Sequence, residues 1–519
     1  MSDLLLAREF AKADYEAWHK LAQRTIGTKD FDATLTHKTA DGINIAPLYD
    51  RAKQADIIAG KRGAAPWQVI QRIDHPEPAH ANSLALADLE SGATGLSLVL
   101  AGAPSARGFG LQIKSLSDLE RVLDGIFIDG IALKLEAGGI SLGAAACLIA
   151  LAENNNLSLS DLDLNLGLDP ISAFGMRGRF PQDYSKVGAR MADVAHALQK
   201  RNFSGVIANA DGRVWHNAGA SEAQELAVVL SLAVTYLRDM TSAGVSLDWA
   251  ASRIGAVLTA DADQFMTIAK IRSLRLLWTR VLEACDVADK PLHIHCETAW
   301  RMMAGLDVHV NMLRTTMACF SAGVGGADSI TVLPFTSALG LPDEMARRIA
   351  RNTQSVLLEE AHIARVMDPA AGAGGLEELT QELAKSAWGL FQDIEAGGGI
   401  SEAVKSGKIQ TDIAKAHEAR AKALADGHDV LTGVTMFPNK DEALVRILDV
   451  QPNDGSLPQD TPADLPPPGR GEQFDAMIAM AKEGATPAAL TAMGRGKALE
   501  VQPLPQARLA EPYEEDTSA

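Results

Sequence analysis

The chain has 519 residues, of which 47% are hydrophobic and only 5% aromatic, so its core is built mainly from Ala, Leu, Ile and Val. Its formal net charge of −18 argues against general nucleic-acid binding, because nothing offsets repulsion from phosphates. The four cysteines have no paired spacing, and neither a secretory signal nor an apolar run of roughly 20 residues, the length of a membrane span, is present. We therefore expect a cytoplasmic protein with no membrane or nucleic-acid partner.

The first 60 residues predict a helix followed by an extended arm, with a turn at Asp41-Gly42. This segment has too few apolar positions to form a core of its own. Those positions are Leu4, Leu5, Leu6, Phe10, Trp18 and Leu21. We therefore predict that residues 1–60 form an arm that contacts another subunit.

Residues 61–427 alternate short apolar runs with helical patterns. The runs that predict strands are residues 95–100, 130–135, 163–168, 205–210, 292–296 and 329–334. Strands that alternate with helices pair in parallel through right-handed crossovers. An open sheet would share this rhythm, but its spread over about 300 residues favours a closed (β/α)₈ TIM barrel, in which chemistry belongs at the carboxyl ends of the strands.

Residues 428–519 predict a linker and a C-terminal tail. A Pro-rich stretch at 451–469 is expected to be extended, and residues 471–493 predict one helix. The remaining tail is polar and lacks the strand–helix–strand rhythm of a nucleotide-binding fold.

His293 and His295 alternate on a predicted strand, so their imidazoles point the same way. Two such histidines can chelate a metal in a barrel hydrolase, but that site needs ligands from other strands and none is obvious. We assign no metal, interpret His295 as a polar residue of a substrate pocket, and keep the hydrolase as an alternative.

His216 and Arg177 each follow a predicted strand. A histidine there can donate a hydrogen bond to a substrate carbonyl, and an arginine can clamp a carboxylate. Both residues could equally be polar groups without chemistry. Lys270 and Arg272 share one face of a helical pattern, which usually indicates a solvated face.

Residues 291–400 contain His293-Ile-His-Cys-Glu-Thr-Ala-Trp, Asn311-Met-Leu-Arg-Thr-Thr, Gly323-Val-Gly-Gly-Ala-Asp and Arg348-Ile-Ala-Arg-Asn-Thr-Gln. In order and spacing they resemble the coenzyme-B12-dependent acyl-CoA mutases, the methylmalonyl-CoA mutase family. The chain is similar above all to the small (beta) subunits of heterodimeric members.

The resemblance implies roles for three residues: His216 would bind the thioester carbonyl of an acyl-CoA, Arg177 the free carboxylate of the substrate, and His295 would line the pocket. Three departures speak against catalysis, and the first is that the segment around His216 is shorter than in the family's catalytic chains and lacks their Gln-Glu after the histidine. The segment from Trp67 stands where the family has Trp-x-Ile-Arg-Gln-Tyr, and we assign Ile73 to the place of the tyrosine that shields the radicals. Gly167 replaces a substrate-binding glutamine.

The family's cobalamin-binding motif, Asp-x-His-x-x-Gly, does not occur in the sequence, so we expect adenosylcobalamin to be held by a partner chain. We favour a noncatalytic beta subunit that stabilises a cobalamin-bearing large subunit. The alternative is a catalytic subunit that borrows adenosylcobalamin from a separate small cobalamin-binding protein.

Overall fold

The structure is a computed structural model that describes residues 14–288, 290–439, 441–453, 456, 460–492 and 497–514. The described arm consists of helices α1 (Tyr15–Ile26) and α2 (Phe31–Leu35) and a hairpin of strands β1 (His37–Lys38) and β2 (Asn44–Ile45). The predicted turn is present, and Gly42 adopts the positive φ of 77° that the turn requires. Leu4, Leu5, Leu6 and Phe10 lie outside the described residues.

Eight parallel strands then close into a barrel in chain order. They are β3 (Gln68–Ile73), β4 (Gly95–Val99), β5 (Ala132–Glu136), β6 (Asp163–Leu168), β8 (Val206–Asp211), β9 (Ile254–Ala260), β10 (His293–Thr298) and β11 (Ser329–Thr331). The closing pair is β11 with β3. The predicted TIM barrel is confirmed, and β3 and β9 are two barrel strands that were not among the predicted runs.

Helices cover the outside of the barrel. Those that follow its strands are α3 (Pro78–Glu90), α4 (Leu116–Val122), α5 (Ser141–Asn154), α6 (Pro170–Arg177), α7 (Ser185–Lys200), α8 (Arg213–Asn217), α9 (Glu222–Thr241), α10 (Leu247–Ala251), α11 (Gln264–Ala284), α12 (Val310–Gly325) and α13 (Glu344–Ser355). A further group packs outside them: α14 (Gly374–Ala396), α15 (Ile400–Lys405) and α16 (Lys408–Ala425). Strand β7 (Arg179–Pro181) lies between α6 and α7.

Two helices among the described residues after 428 pack on the helices of the barrel. Helix α17 (Glu472–Lys482) contacts α5 and α7, and α18 (Pro487–Thr491) contacts α5. The carboxylate of Asp193 anchors the entry to α17 by accepting hydrogen bonds from the backbone N–H groups of Gly469, Gly471 and Phe474. The single helix predicted for 471–493 is therefore two helices, because Gly484 adopts a φ of 95° between them.

Residues 497–514 form a C-terminal strap across the carboxyl end of the barrel. Its strand β12 (Ala498–Glu500) pairs with β7, and α19 (Glu511–Glu514) ends the described chain. Between them, Leu504 N–H donates to Gly175 O and Leu509 N–H to Arg301 O. Over the described part of the chain, no helix has the length and apolarity that crossing a bilayer requires.

Candidate functional site

The carboxyl mouth of the barrel, where a TIM barrel places its chemistry, is filled by charged side chains. Glu297, near the end of β10, accepts hydrogen bonds from three arginines: Arg72 Nη1 at 3.0 Å, Arg107 Nη2 at 2.7 Å and Arg213 Nη1 at 3.1 Å. The Glu297 side chain is only 2% exposed. One carboxylate on β10 therefore ties strand β3 to the segments that follow β4 and β8.

A second carboxylate continues the same network towards the barrel axis. Glu136, at the end of β5, lies 2.8 Å from Arg213 Nη2 and 2.9 Å from Lys134 Nζ. Arg213 also pairs with Asp211 at 2.6 Å. We call the six residues Arg72, Arg107, Lys134, Glu136, Arg213 and Glu297 the ionic plug.

The electrostatics of the ionic plug favour its charged form. Burial alone would raise the pKa of Glu297, but Arg213, Arg72 and Arg107 lower it to about 2. Burial likewise opposes ionisation of Glu136, yet Arg213 and Lys134 hold its pKa well below the ordinary value. Burial would lower the pKa of Arg213, but Asp211 and Glu136 raise it well above the usual range. The plug is thus a set of mutually compensated charges.

One small cavity lies at this mouth. The cavity lined by Glu136, Asp169, Asp211 and Arg213 has a volume of 30 Å³, which is enough for about one or two water molecules. Above it the ring of Trp300 lies between two guanidinium groups, with Arg107 at 4.6 Å and Arg508 of the strap at 5.5 Å from the ring centroid.

His216 lies in α8, just beyond the carboxyl end of β8, and is fully buried. Its Nδ1 is 2.9 Å from Glu225 Oε2 and its Nε2 is 3.4 Å from Asp261 Oδ2. Lys270 Nζ approaches the same Glu225 oxygen at 2.7 Å. Burial would raise the pKa of Glu225, but Lys270 and His216 lower it to about 2. Nδ1 is engaged by Glu225, whereas Nε2 faces the Asp261 carboxylate without a hydrogen-bond partner among the described residues.

Arg177 ends α6 on the same side of the barrel, and its Nη2 donates to Gly102 O at 2.7 Å. It thereby joins the loops that follow β4 and β6. Gly167, on β6, has a φ of 61°, and a Cβ atom there would lie 2.0 Å from Leu135 O. The backbone contact with β5 explains why glycine stands at this position.

His295 is not at the carboxyl mouth, which corrects the expectation of a strand-end pocket residue. It is the third residue of β10 and pairs with Ser329, the first residue of β11. The two histidines do share a face, and both line a cavity of 390 Å³ at the amino-terminal mouth. The alternation of side chains along the strand correctly predicted that His293 and His295 share a face. How far each histidine lies from the carboxyl mouth depends on where the strand begins, which the alternation does not show.

The assignment of Ile73 to the family's tyrosine is also wrong. Side chains along β3 point alternately into the barrel and towards the surrounding helices. Arg72 points into the barrel, where it donates to Glu297. Gln71 donates to Asp88 of α3, and Ile73, on the same face of the strand as Gln71, is fully buried in the hydrophobic core. Counting five residues from Trp67 also gives Arg72. An arginine of the ionic plug therefore occupies the tyrosine's place.

The prediction that Lys270 and Arg272 lie on a solvated helix face is wrong as well. Both side chains are fully buried. Lys270 pairs with Glu225, and Arg272 pairs with Asp368 at 3.1 Å and with Glu377 at 3.0 Å. Helix α11 packs against α9, α12 and α14, so its charged residues face neighbours and not water.

The sequence reading missed Lys134, Glu136 and Glu297 as residues of the mouth. The signal was present, since Lys134 and Glu136 alternate within an apolar strand, and charged residues inside a buried strand require partners. Among the described residues no group of three or more His, Cys, Asp or Glu side chains is arranged to hold a metal.

The fold and the mouth define a (β/α)₈ barrel chain whose carboxyl mouth holds a network of buried charges. The model of one family, methylmalonyl-CoA mutase, matches residues 38–459. The chain belongs to the methylmalonyl-CoA mutase family, and it is a barrel chain of this group of isomerases.

The chain is similar in sequence to methylmalonyl-CoA mutase chains from several bacteria. The methylmalonyl-CoA mutase small subunit of Streptomyces virginiae is 39% identical over 495 residues, which cover 91% of this chain and 77% of that protein. The small subunit of Propionibacterium freudenreichii subsp. shermanii is 35% identical over 462 residues, covering 84% of this chain and 70% of that protein. The methylmalonyl-CoA mutase of Cereibacter sphaeroides is 30% identical over 474 residues, which cover 84% of this chain and 66% of that protein.

Mutases of this family depend on a cobalamin cofactor, so its fit to the carboxyl mouth can be tested on the residues themselves. The 30 Å³ cavity is too small for an adenosyl group or an acyl thioester. The strap is fastened beside it, because Leu509 N–H donates to Arg301 O and Arg508 lies over the Trp300 ring. The residues that line this cavity therefore do not fit the cofactor's reactive group.

Proposed function

We propose that this chain is the noncatalytic small subunit of a two-chain acyl-CoA mutase, and that a homologous large chain holds adenosylcobalamin and carries out the rearrangement. The observation that supports the proposal most directly is the ionic plug. A mutase barrel must admit an acyl thioester to the mouth at which Glu297 here binds Arg72, Arg107 and Arg213.

The energy needed to open this mouth is large. Breaking a buried ion pair so that one charge loses its partner costs about 3–5 kcal/mol, a factor of more than 10² in an equilibrium. Moving Glu297 aside would remove the carboxylate that Arg107 pairs with, and it would leave Arg72 with Asp74, and Arg213 with Glu136 and Asp211, as remaining partners. A substrate that had to displace Glu297 would bind too weakly to be turned over.

The residues that a mutase barrel would use are engaged elsewhere. His216 Nδ1 is paired with Glu225 and its Nε2 lies 3.4 Å from Asp261, so a thioester carbonyl would have to compete with the Asp261 carboxylate for the imidazole. Arg177 donates to a backbone carbonyl of a neighbouring loop. Both interactions support a structural role, in which the two residues hold the loops of the closed mouth.

The partner we propose is a large mutase chain, as the printed names of the small-subunit relatives suggest. The arm supports this choice. It is fastened to the barrel at Asp41, which accepts hydrogen bonds from Ser221 Oγ and Ala223 N–H, while Tyr15 and Leu21 of α1 are 55% and 62% exposed. An anchored arm with exposed apolar residues suits a subunit contact.

Reconstitution tests the proposal. This chain is purified alone and then mixed with the large mutase chain of the same source and adenosylcobalamin, and conversion of methylmalonyl-CoA to succinyl-CoA is measured. We expect no turnover from this chain alone, and a stable complex whose turnover depends on the large chain. Turnover by this chain with a small cobalamin-binding protein and no large chain would establish it as the catalytic subunit and overturn the proposal.

A further inference from the structure

Most of the large apolar side chains that the described structure exposes are concentrated in a few segments. They lie in α12, in residues 339–367, in residues 430–447 and in the arm; elsewhere the described residues expose only Phe127, Phe265 and Leu499. We call the exposed side chains of the first three segments the helix face. Apolar residues on the surface of a monomer are normally scattered singly, and a concentration of them marks a binding surface.

Helix α12 presents an apolar stripe to solvent. Leu313 is 68% exposed and Met317 40%. With three half-buried residues they form a stripe whose spacing alternates between three and four positions, as in the seam between two helices packed side by side. The stripe consists of Val310, Leu313, Met317, Phe320 and Val324.

The exposed side of α12 also carries no charge. The one ionisable side chain between Val310 and Gly325 is that of Arg314, which is buried and donates to Asn311 Oδ1 and Thr432 O. By contrast, helix α14 on the outside of the barrel exposes Glu378, Glu382, Lys385 and Asp393. Because a helix face in contact with water is normally polar and charged, the surface of α12 suits contact with another apolar helix.

The rest of the helix face surrounds this stripe. Helix α12 contacts α13, on which Met345 is 58% exposed, and the turn Ile363–Arg365, after which Val366 and Met367 are exposed. Residues 430–447 are held against the same helices. Glu442 accepts a hydrogen bond from Val308 N–H just before α12, and Ile447 pairs with Pro342 just before α13.

The helix face continues into the arm. Ile58 N–H donates to Asp368 Oδ2 at 2.9 Å, and Ala52 N–H donates to Gly372 O at 3.2 Å. Residues 52–58 of the arm therefore lie beside residues 366–372. A partner that binds the arm along this stretch also reaches the helix face.

The charge of the chain favours a different chain as that partner. Two copies that each carry a net charge of −18 repel one another, so a second copy of this chain is disfavoured. The arm is the segment that we assign to contact with the large mutase chain. The same chain is therefore the occupant that fits the helix face.

We propose that the large mutase chain packs an apolar helix against the stripe of α12, so that the helix face and the arm form one continuous interface. This inference rests on the proposed function, because it takes the large chain as the partner. It adds the place on the barrel where that chain binds.

A charge placed within the stripe gives the sharpest test. Thr316 is exposed beside Leu313 and Met317, and its hydroxyl donates to Met312 O. Thr316→Glu should raise the dissociation constant of the complex with the large chain at least about a hundredfold, since the interface would bury an unpaired charge. Analytical ultracentrifugation of the two purified chains measures it. The matched control is Thr411→Glu, because Thr411 is also exposed on a helix and donates to Gly407 O, but lies on α16. It should change the constant by less than about threefold.

A second pair of variants removes apolar surface without adding charge. Leu313→Ser should weaken the complex about tenfold, as expected for an apolar anchor inside an interface. Phe127→Ser, at a position that is 83% exposed but outside the helix face, should change the affinity by less than about twofold. Circular dichroism verifies that all four variants fold.

The outcomes separate this inference from the proposed function. If the natural chain binds the large chain and both Thr316→Glu and Leu313→Ser bind equally well, the helix face is not the interface, while the two-chain mutase stands. Failure of the natural chain to bind the large chain would overturn both. Self-association of this chain that Thr316→Glu abolishes would assign the helix face to a second copy and would also refute the inference.

Discussion

The two mouths of this barrel differ in what fills them. At the carboxyl mouth, Glu297 binds Arg72, Arg107 and Arg213, and the remaining cavity measures 30 Å³. At the amino-terminal mouth, the strands begin with small or polar residues around a cavity of 390 Å³. The chain has therefore closed the end where TIM barrels place chemistry and left the opposite end open. Under the proposed function, the barrel scaffold is kept while a network of buried charges takes the place of the reaction site.

The largest effect is expected when the ionic plug loses its central carboxylate. Glu297→Ala leaves three buried arginines with one anionic partner fewer each, and should destabilise the chain by about 3–5 kcal/mol. Chemical denaturation monitored by circular dichroism measures this. The matched control is Glu283→Ala, which removes an ion pair whose partners are 63% and 60% exposed; its cost should not exceed about 1 kcal/mol. Equal costs for both variants would show that the carboxyl mouth is not held by the plug.

Removal of residues 1–35 should weaken association with the large mutase chain without unfolding the barrel. Helix α1 has no buried residue, and Leu21 is 62% exposed, so little barrel packing is lost. We expect at least about a tenfold rise in the dissociation constant, the equivalent of about 1.4 kcal/mol, by analytical ultracentrifugation. A matched Leu21→Ser variant should show part of the loss. An unchanged dissociation constant in the truncated chain would refute the subunit-contact role of the arm.

The polar groups beside the plug predict a pH dependence. Burial, together with Asp211, raises the pKa of Asp169 to about 7. The folded state therefore binds this proton more tightly than the unfolded chain, whose Asp pKa is about 3.9. Its stabilising contribution is complete below about pH 4 and is lost as the pH rises to about 7. Asp169→Asn cannot lose a proton.

The stability of Asp169→Asn relative to the natural chain should thus increase by about 1–3 kcal/mol between pH 4 and pH 8. Denaturation at several pH values measures the difference. Asp183→Asn, at an exposed position, serves as the control and should not share this trend. A difference that stays constant with pH would mean that Asp169 is ionised in the folded protein.

The closed carboxyl mouth also predicts that the isolated chain binds neither adenosylcobalamin nor cob(II)alamin. The 30 Å³ cavity gives the cofactor's reactive group no access, and the strap lies across the approach. Calorimetric titration should give no heat above dilution, whereas the large chain under the same conditions should bind. Micromolar binding by this chain alone would contradict the assignment of the cofactor to the partner.

The sequence predicted the barrel because side-chain alternation and helical spacing are local signals. Strand β9 gave a weak signal, since three of its seven residues are Gly or Ala. The site was harder to predict because it depends on register. Nothing in the sequence near His295 shows that it pairs with Ser329, the first residue of β11. This pairing places His295 towards the amino-terminal end of the barrel.

The burial of charged residues was also difficult to predict, because it depends on tertiary packing. Lys270 and Arg272 have the spacing of a solvated face, and only packing of α14 and α9 around α11 buries them. Lys134 and Glu136 could have been recognised, because charges within an apolar strand need partners. Which partners they have depends on the closure of the barrel.

The most direct test of a noncatalytic barrel is turnover of the reconstituted two-chain mutase when His216 is changed. His216→Gln retains polar atoms between Glu225 and Asp261 while removing the imidazole, and assembly is verified by mass. Because His216 is buried between carboxylates, we expect turnover of methylmalonyl-CoA to stay within about threefold. The corresponding histidine of the large chain, changed to Gln, should lower it by about 10²–10³, the usual cost of losing one preorganised hydrogen bond. A loss of that size from His216→Gln, with the complex intact, would contradict the noncatalytic role and make this chain the catalyst.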